Sequence, residues 1–116
     1  MKAISLTEKL ATFEEHWSPK IVGAFNGHDL MVVKVKGEFV WHEHPDTDDF
    51  FMVLKGSIRI DLPDGAVTLN EGDVYVVPKG VQHRPVADEE AHLLLIEPAG
   101  TPNTGDPATA ATKIEI

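Results

Sequence analysis

The sequence predicts an all-β fold, an antiparallel sandwich or barrel led by one short helix, and three observations carry that prediction. From residue 21 to 98 the chain is a succession of short apolar or alternating runs, each four to six residues long. Turn signals separate them: Asn26-Gly27, Lys36-Gly37, Lys55-Gly56, Asp64-Gly65, Glu71-Gly72-Asp73 and Pro78-Lys79-Gly80. Only one stretch, at the N-terminus, has helical period. Many short strands with no second helix leave a sheet no partner but another sheet.

Size and charge bound the rest. A chain of 116 residues with 42% hydrophobic side chains has enough apolar material for one packed core and no room for a second domain. Nineteen acidic against ten basic residues give a formal charge of −9, a surface that repels phosphate backbones and anionic headgroups, so neither nucleic acid nor membrane is expected as a partner. There is no cysteine, which excludes disulfides, thiolate ligands and a cysteine nucleophile. Glu8, Glu14 and Glu15 stand where a signal peptide needs apolar residues, and no apolar run approaches a membrane span, so a cytoplasmic protein is expected.

In chain order, Ser5-Leu6-Thr7-Glu8 has the form of a capping box, and Leu6, Leu10, Phe13 and Trp17 recur at helical spacing. This predicts an amphipathic helix over 6–15 that packs on the body of the domain, ended by Ser18-Pro19. The predicted strands are Ile21–Phe25, Leu30–Val35, Phe39–His42, Phe50–Leu54, Ser57–Leu62, Ala66–Leu69, Val74–Val77, His83–Val86 and Leu93–Glu97. Residues 57–62 alternate cleanly, as a strand with one wet face should. Residues 50–54, 74–77 and 93–96 are apolar at both parities and want cover on both faces, which points to a homodimer or a covering helix. Residues 99–112, rich in Pro, Gly, Thr and Ala, read as an extended tail, with 113–116 able to add an edge strand. The expected organisation is thus a helix and lead-in over 1–20, one barrel domain over 21–98 and a C-terminal tail over 99–116.

The stretch Trp41-His42-Glu43-His44-Pro45-Asp46-Thr47-Asp48-Asp49 carries the chemistry. On a strand, His42 and His44 project from one face with Cα atoms about 6.6 Å apart, and two neutral imidazoles so placed can converge on one metal ion. Taken alone an HxH is more often two surface histidines on a β-edge than a metal site. The surrounding residues change that balance. Gly37, His42-x-His44, Asp49 and Gly56 resemble the first cupin motif, and Gly72, Pro78, Gly80 and His83 resemble the second. The chain is similar to the small single-domain bacterial cupins of mannose-6-phosphate-isomerase-like type over roughly residues 20–98.

That resemblance implies a cupin jelly-roll barrel or sandwich with His42, His44 and His83 as metal ligands and Asp49 at the carboxylate position. It implies a divalent transition metal, Fe, Mn, Ni or Zn, since imidazole and carboxylate donors suit each of them. Parity agrees: Asp49 shares inward register with Phe51 and Val53. Val40, Phe51, Tyr75 and Gln82 are expected to wall the pocket. Trp41, of opposite parity to His42, is expected on the outer face.

Three departures from the family pattern matter. Four residues separate Gly37 from His42 where five is usual, Ala87 replaces a motif asparagine, and Asp49 replaces glutamate, about 1.5 Å shorter in reach. Asp49 therefore binds through a small strand shift, binds through a water, or leaves the ion to the imidazoles.

The expected function is a metal-dependent enzyme on a small molecule, of oxygenase or isomerase and lyase type, in which the ion acts as a Lewis acid. Asp49, if unligated, and His92 are the side chains that remain as bases. Two readings stand beside it, a non-catalytic sugar or small-metabolite binder and a metal-free degenerate barrel. His16 and His28 are expected at the surface.

Overall fold

The computed structural model describes residues 1–116. One helix, α1 (Leu6–Leu10), precedes β1 (Lys20–Phe25), β2 (His28–Glu38), β3 (Asp49–Lys55), β4 (Ile58–Leu62), β5 (Gly65–Leu69), β6 (Val74–Val77), β7 (Arg84–Pro98) and β8 (Ile114–Glu115). The expected all-β class with a short leading helix is what the chain adopts. No helix is long and apolar enough to cross a membrane.

β7 organises the sheets. One of its edges pairs antiparallel with β2 from His28↔Pro98 to Glu38↔Val86. Its other edge is shared. The first part pairs with β4 at Arg59↔Val86, and the last part pairs with β3 at Phe50↔Ile96, which in turn carries β6. The two long strands therefore pass from a β5-β4-β7-β2 layer into a β6-β3-β7-β2-β1-β8 layer, and the layers close a sandwich. The core between them holds Met31, Val33, Val35, Phe51, Val53, Ile58, Ile60, Leu69, Leu93 and Leu95. Burying these apolar side chains, at roughly 1.5–3 kcal/mol each, is the main force holding the layers together.

Three expectations change. The helix spans five residues rather than ten: Ser5 caps it, its Oγ accepting from Glu8 N at 3.2 Å. Thr12 ends it, donating its hydroxyl back to Lys9 O at 2.7 Å, and His16 then bridges to Lys34 of β2, so residues 13–17 leave the helix. Second, residues 39–42 form no strand; His42 makes only an isolated bridge to His83. Third, the runs expected at 83–86 and 93–97 are not separate: one strand, β7, covers both from Arg84 onward, with His83 just ahead of it. Asp88-Glu89-Glu90 lie on it at a bulge, opposite the register shift between Val35 and Gly37, where pairing with β2 overrides poor β-propensity.

The outer face of the β3-β7-β2 layer is partly covered from within the chain. Leu6, Leu10, Phe13, Val22 and Val32 pack with Leu54, Leu94 and Ile116 into a second cluster. Val74 and Val76, on β6, stay 52% and 44% exposed. The tail returns to the sheet as β8, parallel to β1. On the way its Gly105 lies so close to the Glu43 backbone that no side chain would fit there.

Candidate metal centre

His42, His44, Asp49 and His83 come together from three segments, all buried, with one ligating atom from each lying within 4.8 Å of the others. Backbone pairing sets the pair that opens and closes the motif. His42 N donates to His83 O at 3.0 Å and His83 N to His42 O at 2.9 Å, which brings the two rings to 4.3 Å between centroids. Gly80, at φ 78°, turns the chain ahead of His83, and its N–H donates to His44 O at 2.9 Å. Asp48 Oδ1 accepts from Lys79 N at 2.9 Å, fastening the same turn to the loop that carries His44.

Side-chain bonds then orient the rings. His42 Nδ1 lies 2.9 Å from Val40 O and His83 Nδ1 3.0 Å from Val81 O. Each carbonyl only accepts, so Nδ1 carries a proton and Nε2 is the ring nitrogen turned toward the centre, the orientation metal-bound imidazoles need. Asp49 opens β3, and the burial pattern of that strand places it inward with Phe51 and Val53, as parity requires. Its Oδ2 stands 2.8 Å from His83 Nε2 and 3.3 Å from His44 Nε2. The shorter side chain thus reaches the imidazoles because β3 starts at this residue.

The electrostatics follow from burial. Burial pushes the His42 imidazolium down to about 4, so the ring is neutral near pH 7. Burial works the same way on His44, but Asp49 beside it wins and raises that imidazole above its ordinary value. For Asp49, burial opposes ionisation, yet the His44 and His83 imidazoles beside it hold the carboxyl well below the usual range.

Two atoms of this group, His44 Nε2 and Asp49 Oδ1, are buried without a hydrogen-bond partner. Such orphans cost about 1–3 kcal/mol each, and one ion would satisfy both. Donors around an ion at about 2.1 Å stand roughly 3–4.2 Å apart, so the group needs to contract by only about half an ångström. Three neutral or neutralisable imidazoles and one carboxylate fit a divalent transition metal.

A cavity opens beside the group, walled by Trp17, Pro19, Val33, Val35, Phe39, Phe51, Pro85, Leu93 and Leu95, with His42, Asp49, Glu97 and Asn103 as its polar residues. Water centres have about 40 Å³ there. At ~10–15 Å³ each that is room for about three waters.

Of the expected pocket walls, Phe51 lines this cavity, while Tyr75 packs on the core next to it. Val40 is 52% exposed and Gln82 lies at the surface, so both leave the wall. The reason is shared: neither lies in a strand, so the two-residue alternation that placed them inward does not apply. His92 is also displaced. It sits on β7 out of phase with Leu93, Leu95 and Glu97 and faces outward, with Nε2 3.0 Å from Glu90 Oε1. Trp41 is 46% exposed, under the Arg84 guanidinium at 5.3 Å. His16 pairs with Glu90 at 2.8 Å near the surface.

Sequence reasoning missed Glu97, 4% exposed and part of the cavity wall. Burial and the Asp49 charge push its carboxyl up to about 7, against the pull of Lys113, whose ammonium lies 3.3 Å away. Its signal was present: a carboxylate in phase with Leu93 and Leu95 on an inward-facing parity. Trp17 and Phe39, read as a helix stripe and a strand start, are the other two.

Comparison with known proteins agrees with this arrangement. A cupin-2 domain containing protein from Shewanella frigidimarina superposes with a TM-score of 0.81 at 46% identity, over 82% of this chain and 93% of that one. The uncharacterized protein YdbB of Bacillus subtilis is 38% identical over 64 residues, 54% of this chain. A 3-hydroxyanthranilate 3,4-dioxygenase of Brucella anthropi is 34% identical over 85 residues, 65% of this chain. The chain spans about half the length of these curated relatives, 57% and 46%. The family model for the cupin domain matches residues 29–97, the span that holds all four clustered residues, and with that match this chain belongs to the Cupin_2 family.

Proposed function

We propose that this cupin is a metal-dependent enzyme on a small molecule, of dioxygenase type, in which His42, His44, Asp49 and His83 hold a divalent iron, manganese, nickel or zinc ion. The observation that carries the reading is the pair of orphaned buried atoms, His44 Nε2 and Asp49 Oδ1, within a group whose ligating atoms lie inside 4.8 Å. When bound, the ion supplies Lewis acidity and, if it is iron, a redox partner for dioxygen. The chain does the rest. Nδ1 contacts to Val40 O and Val81 O hold two imidazoles in the ligating tautomer. Phe39, Phe51, Leu93 and Leu95 make most of the cavity wall apolar. Glu97 is the buried carboxyl outside the ligand set, and with its pKa pushed up to about 7 it is poised to hold or release a proton near neutral pH. The relative from Brucella anthropi supports a dioxygenase over an isomerase or lyase.

The test is oxygen consumption. Metal-free protein reloaded separately with Fe(II), Mn(II), Ni(II) and Zn(II) is mixed with 3-hydroxyanthranilate and other small hydroxylated aromatics at an oxygen electrode. Uptake with Fe(II) alone, lost in His42→Ala, is the expected result. Stoichiometric metal with no uptake on any substrate would instead favour the second reading, a non-catalytic binder, for which the small volume of the cavity speaks.

The proposal includes a homodimer. β6 pairs only with β3, leaving one edge free, and its exposed Val74 and Val76 adjoin Phe50, Met52 and Ile96 in an uncharged patch on a chain of charge −9. Two copies meeting there avoid like charges. Sedimentation of the native chain at twice the monomer mass, reverting to one in Val74→Lys, is expected.

A further inference from the structure

One part of the cavity wall is not built by the sheets. Val33, Val35, Phe51, Leu93 and Leu95 come from β2, β3 and β7, where ladder bonds and core packing lock them. Trp17 comes from the lead-in between α1 and β1, and Phe39 from the link that follows β2. Their rings stack at 4.8 Å with 20° between planes, and the edge of Phe39 meets His42 at 5.3 Å. An aromatic column thus runs from the cavity rim to a ring of the metal group.

The two members of the column are held very differently. Trp17 has φ 59°, a conformation that a bulky side chain adopts only where its surroundings enforce it. They do: Trp17 N donates to Lys34 O at 2.8 Å and Nε1 to Lys36 O at 2.9 Å. Phe39 has a single backbone tie, N to Pro85 O at 2.9 Å, and lies outside every strand. Strain of this kind collects at ligand clamps, and here it aims a flat indole at a cavity with room for about three waters, one side of which the Phe39 ring occupies. A ligand ring stacks on that indole face only by taking the place of the Phe39 ring, and Phe39 has fewer hydrogen-bonded ties than Trp17.

We infer that the indole face of Trp17 is the specificity-determining surface of the pocket, and that it selects a planar aromatic ligand which takes the stacking position Phe39 holds in the free protein. The inference rests on reading the cavity as the substrate pocket of a metal enzyme. Its physical content is an exchange. Parting Trp17 from Phe39 forfeits an aromatic stack; a flat π-system regains it on the indole, whereas an aliphatic chelator of the same donor atoms regains nothing. Aromatic pairs of this kind are worth up to about tenfold in affinity.

The test uses Zn(II)-loaded protein, which binds without turnover, titrated with catechol and with oxalate, both bidentate oxygen chelators. The chain has two tryptophans, so Trp41→Phe leaves Trp17 as sole reporter. Catechol is expected to quench Trp17 emission and oxalate to leave it unchanged. In Trp17→Leu, catechol affinity should fall about tenfold while oxalate stays within about twofold, and Trp17→Phe, which keeps a flat face, should recover most of the loss. Equal losses for both chelators, or none for catechol, overturn the inference while leaving the metal centre standing. Failure of the Trp41→Phe protein to retain zinc overturns the metal-enzyme reading and takes this inference with it.

Discussion

The molecule contains two clusters in which imidazoles meet a carboxylate, and they behave oppositely. Around Asp49, three histidines and the carboxylate are buried, the Nδ1 contacts of His42 and His83 are taken by backbone carbonyls, and two polar atoms have no partner. Around Glu90, His16 and His92 each pair with a separate oxygen, at 2.8 and 3.0 Å, and the glutamate and His16 are largely in solvent. Residue types are nearly the same. What differs is whether the protein finishes its own hydrogen bonding. At Glu90 the pairing is complete and nothing further is wanted; at Asp49 buried atoms remain that no protein group serves. A metal-competent site is recognised here by that incompleteness and by backbone-fixed tautomers, and histidine count alone does not identify it.

The largest expected contrast is in metal content. His42→Ala should take the isolated protein from near-stoichiometric metal to less than about a tenth, since it removes a ligand and leaves the other groups buried and unpaired. His92→Ala should leave the content unchanged, as measured by elemental analysis of both variants. If the two lose metal alike, the distinction between the clusters fails.

Next in size is the carboxylate. Asp49→Ala should weaken metal binding by about 10–100-fold, a loss comparable to removing a partner that both orients and charges the site. Asp49→Glu should bind within a fewfold of the native chain, because it keeps a carboxylate aimed at the imidazoles and glutamate is the residue the family motif carries there. Glu90→Ala should not change affinity. Competition with a chromogenic chelator measures all three.

The pH dependence of the metal-free protein is smaller and has a defined sign. The folded pKa of His42, about 4, lies below its ordinary 6.5, so the unfolded chain binds this proton first as pH falls. Stability from His42 is full above pH 6.5 and is lost between 6.5 and 4, up to roughly 3 kcal/mol at about 1.4 per unit. Glu97 acts in reverse. Its folded pKa is raised from 4.5 to about 7, so its contribution is present below pH 4.5 and is lost as pH rises to 7. The two offset each other over much of one window. Urea unfolding should therefore show a shallow pH dependence between 4.5 and 6.5 in the native chain and a steeper loss on acidification in Glu97→Gln. An unchanged slope in that variant would contradict the assignment.

Smallest is the Glu90 cluster itself. Its carboxyl is held down to about 2 by His16 and His92, but it lies in solvent where such pairs are screened. Glu90→Ala should lower the melting temperature by no more than a few degrees, and 0.5 M salt should remove the difference.

How much of this was legible in the sequence depends on how regular the local backbone is. Where strands are regular, parity worked: Asp49, Phe51 and Val53 face inward as the two-residue alternation requires. The turn signals located every strand boundary from β3 to β6 within two residues or fewer. The spacing from Gly72 to His83 placed an imidazole opposite His42. Legibility ended where alternation ended. Residues 39–42 hold no ladder beyond the His42 to His83 bridge, so Val40 turned outward and Phe39 inward. The helix stopped early because the Thr12 hydroxyl and the His16 to Lys34 bridge, a contact 18 residues away in sequence, compete with helical propagation. Glu97 was overlooked because a charged residue at a strand end reads as solvated; its burial depends on Lys113, supplied by a tail that carries no period of its own.

The central claim is that three imidazoles and Asp49 surround one ion, and X-ray absorption at the metal edge of the protein as isolated tests it most directly. The account predicts a first shell of nitrogen and oxygen near 2.1 Å with the multiple-scattering signature of three imidazoles, falling to two in His83→Ala. A shell with no imidazole signature, or one that His83→Ala leaves intact, would contradict it.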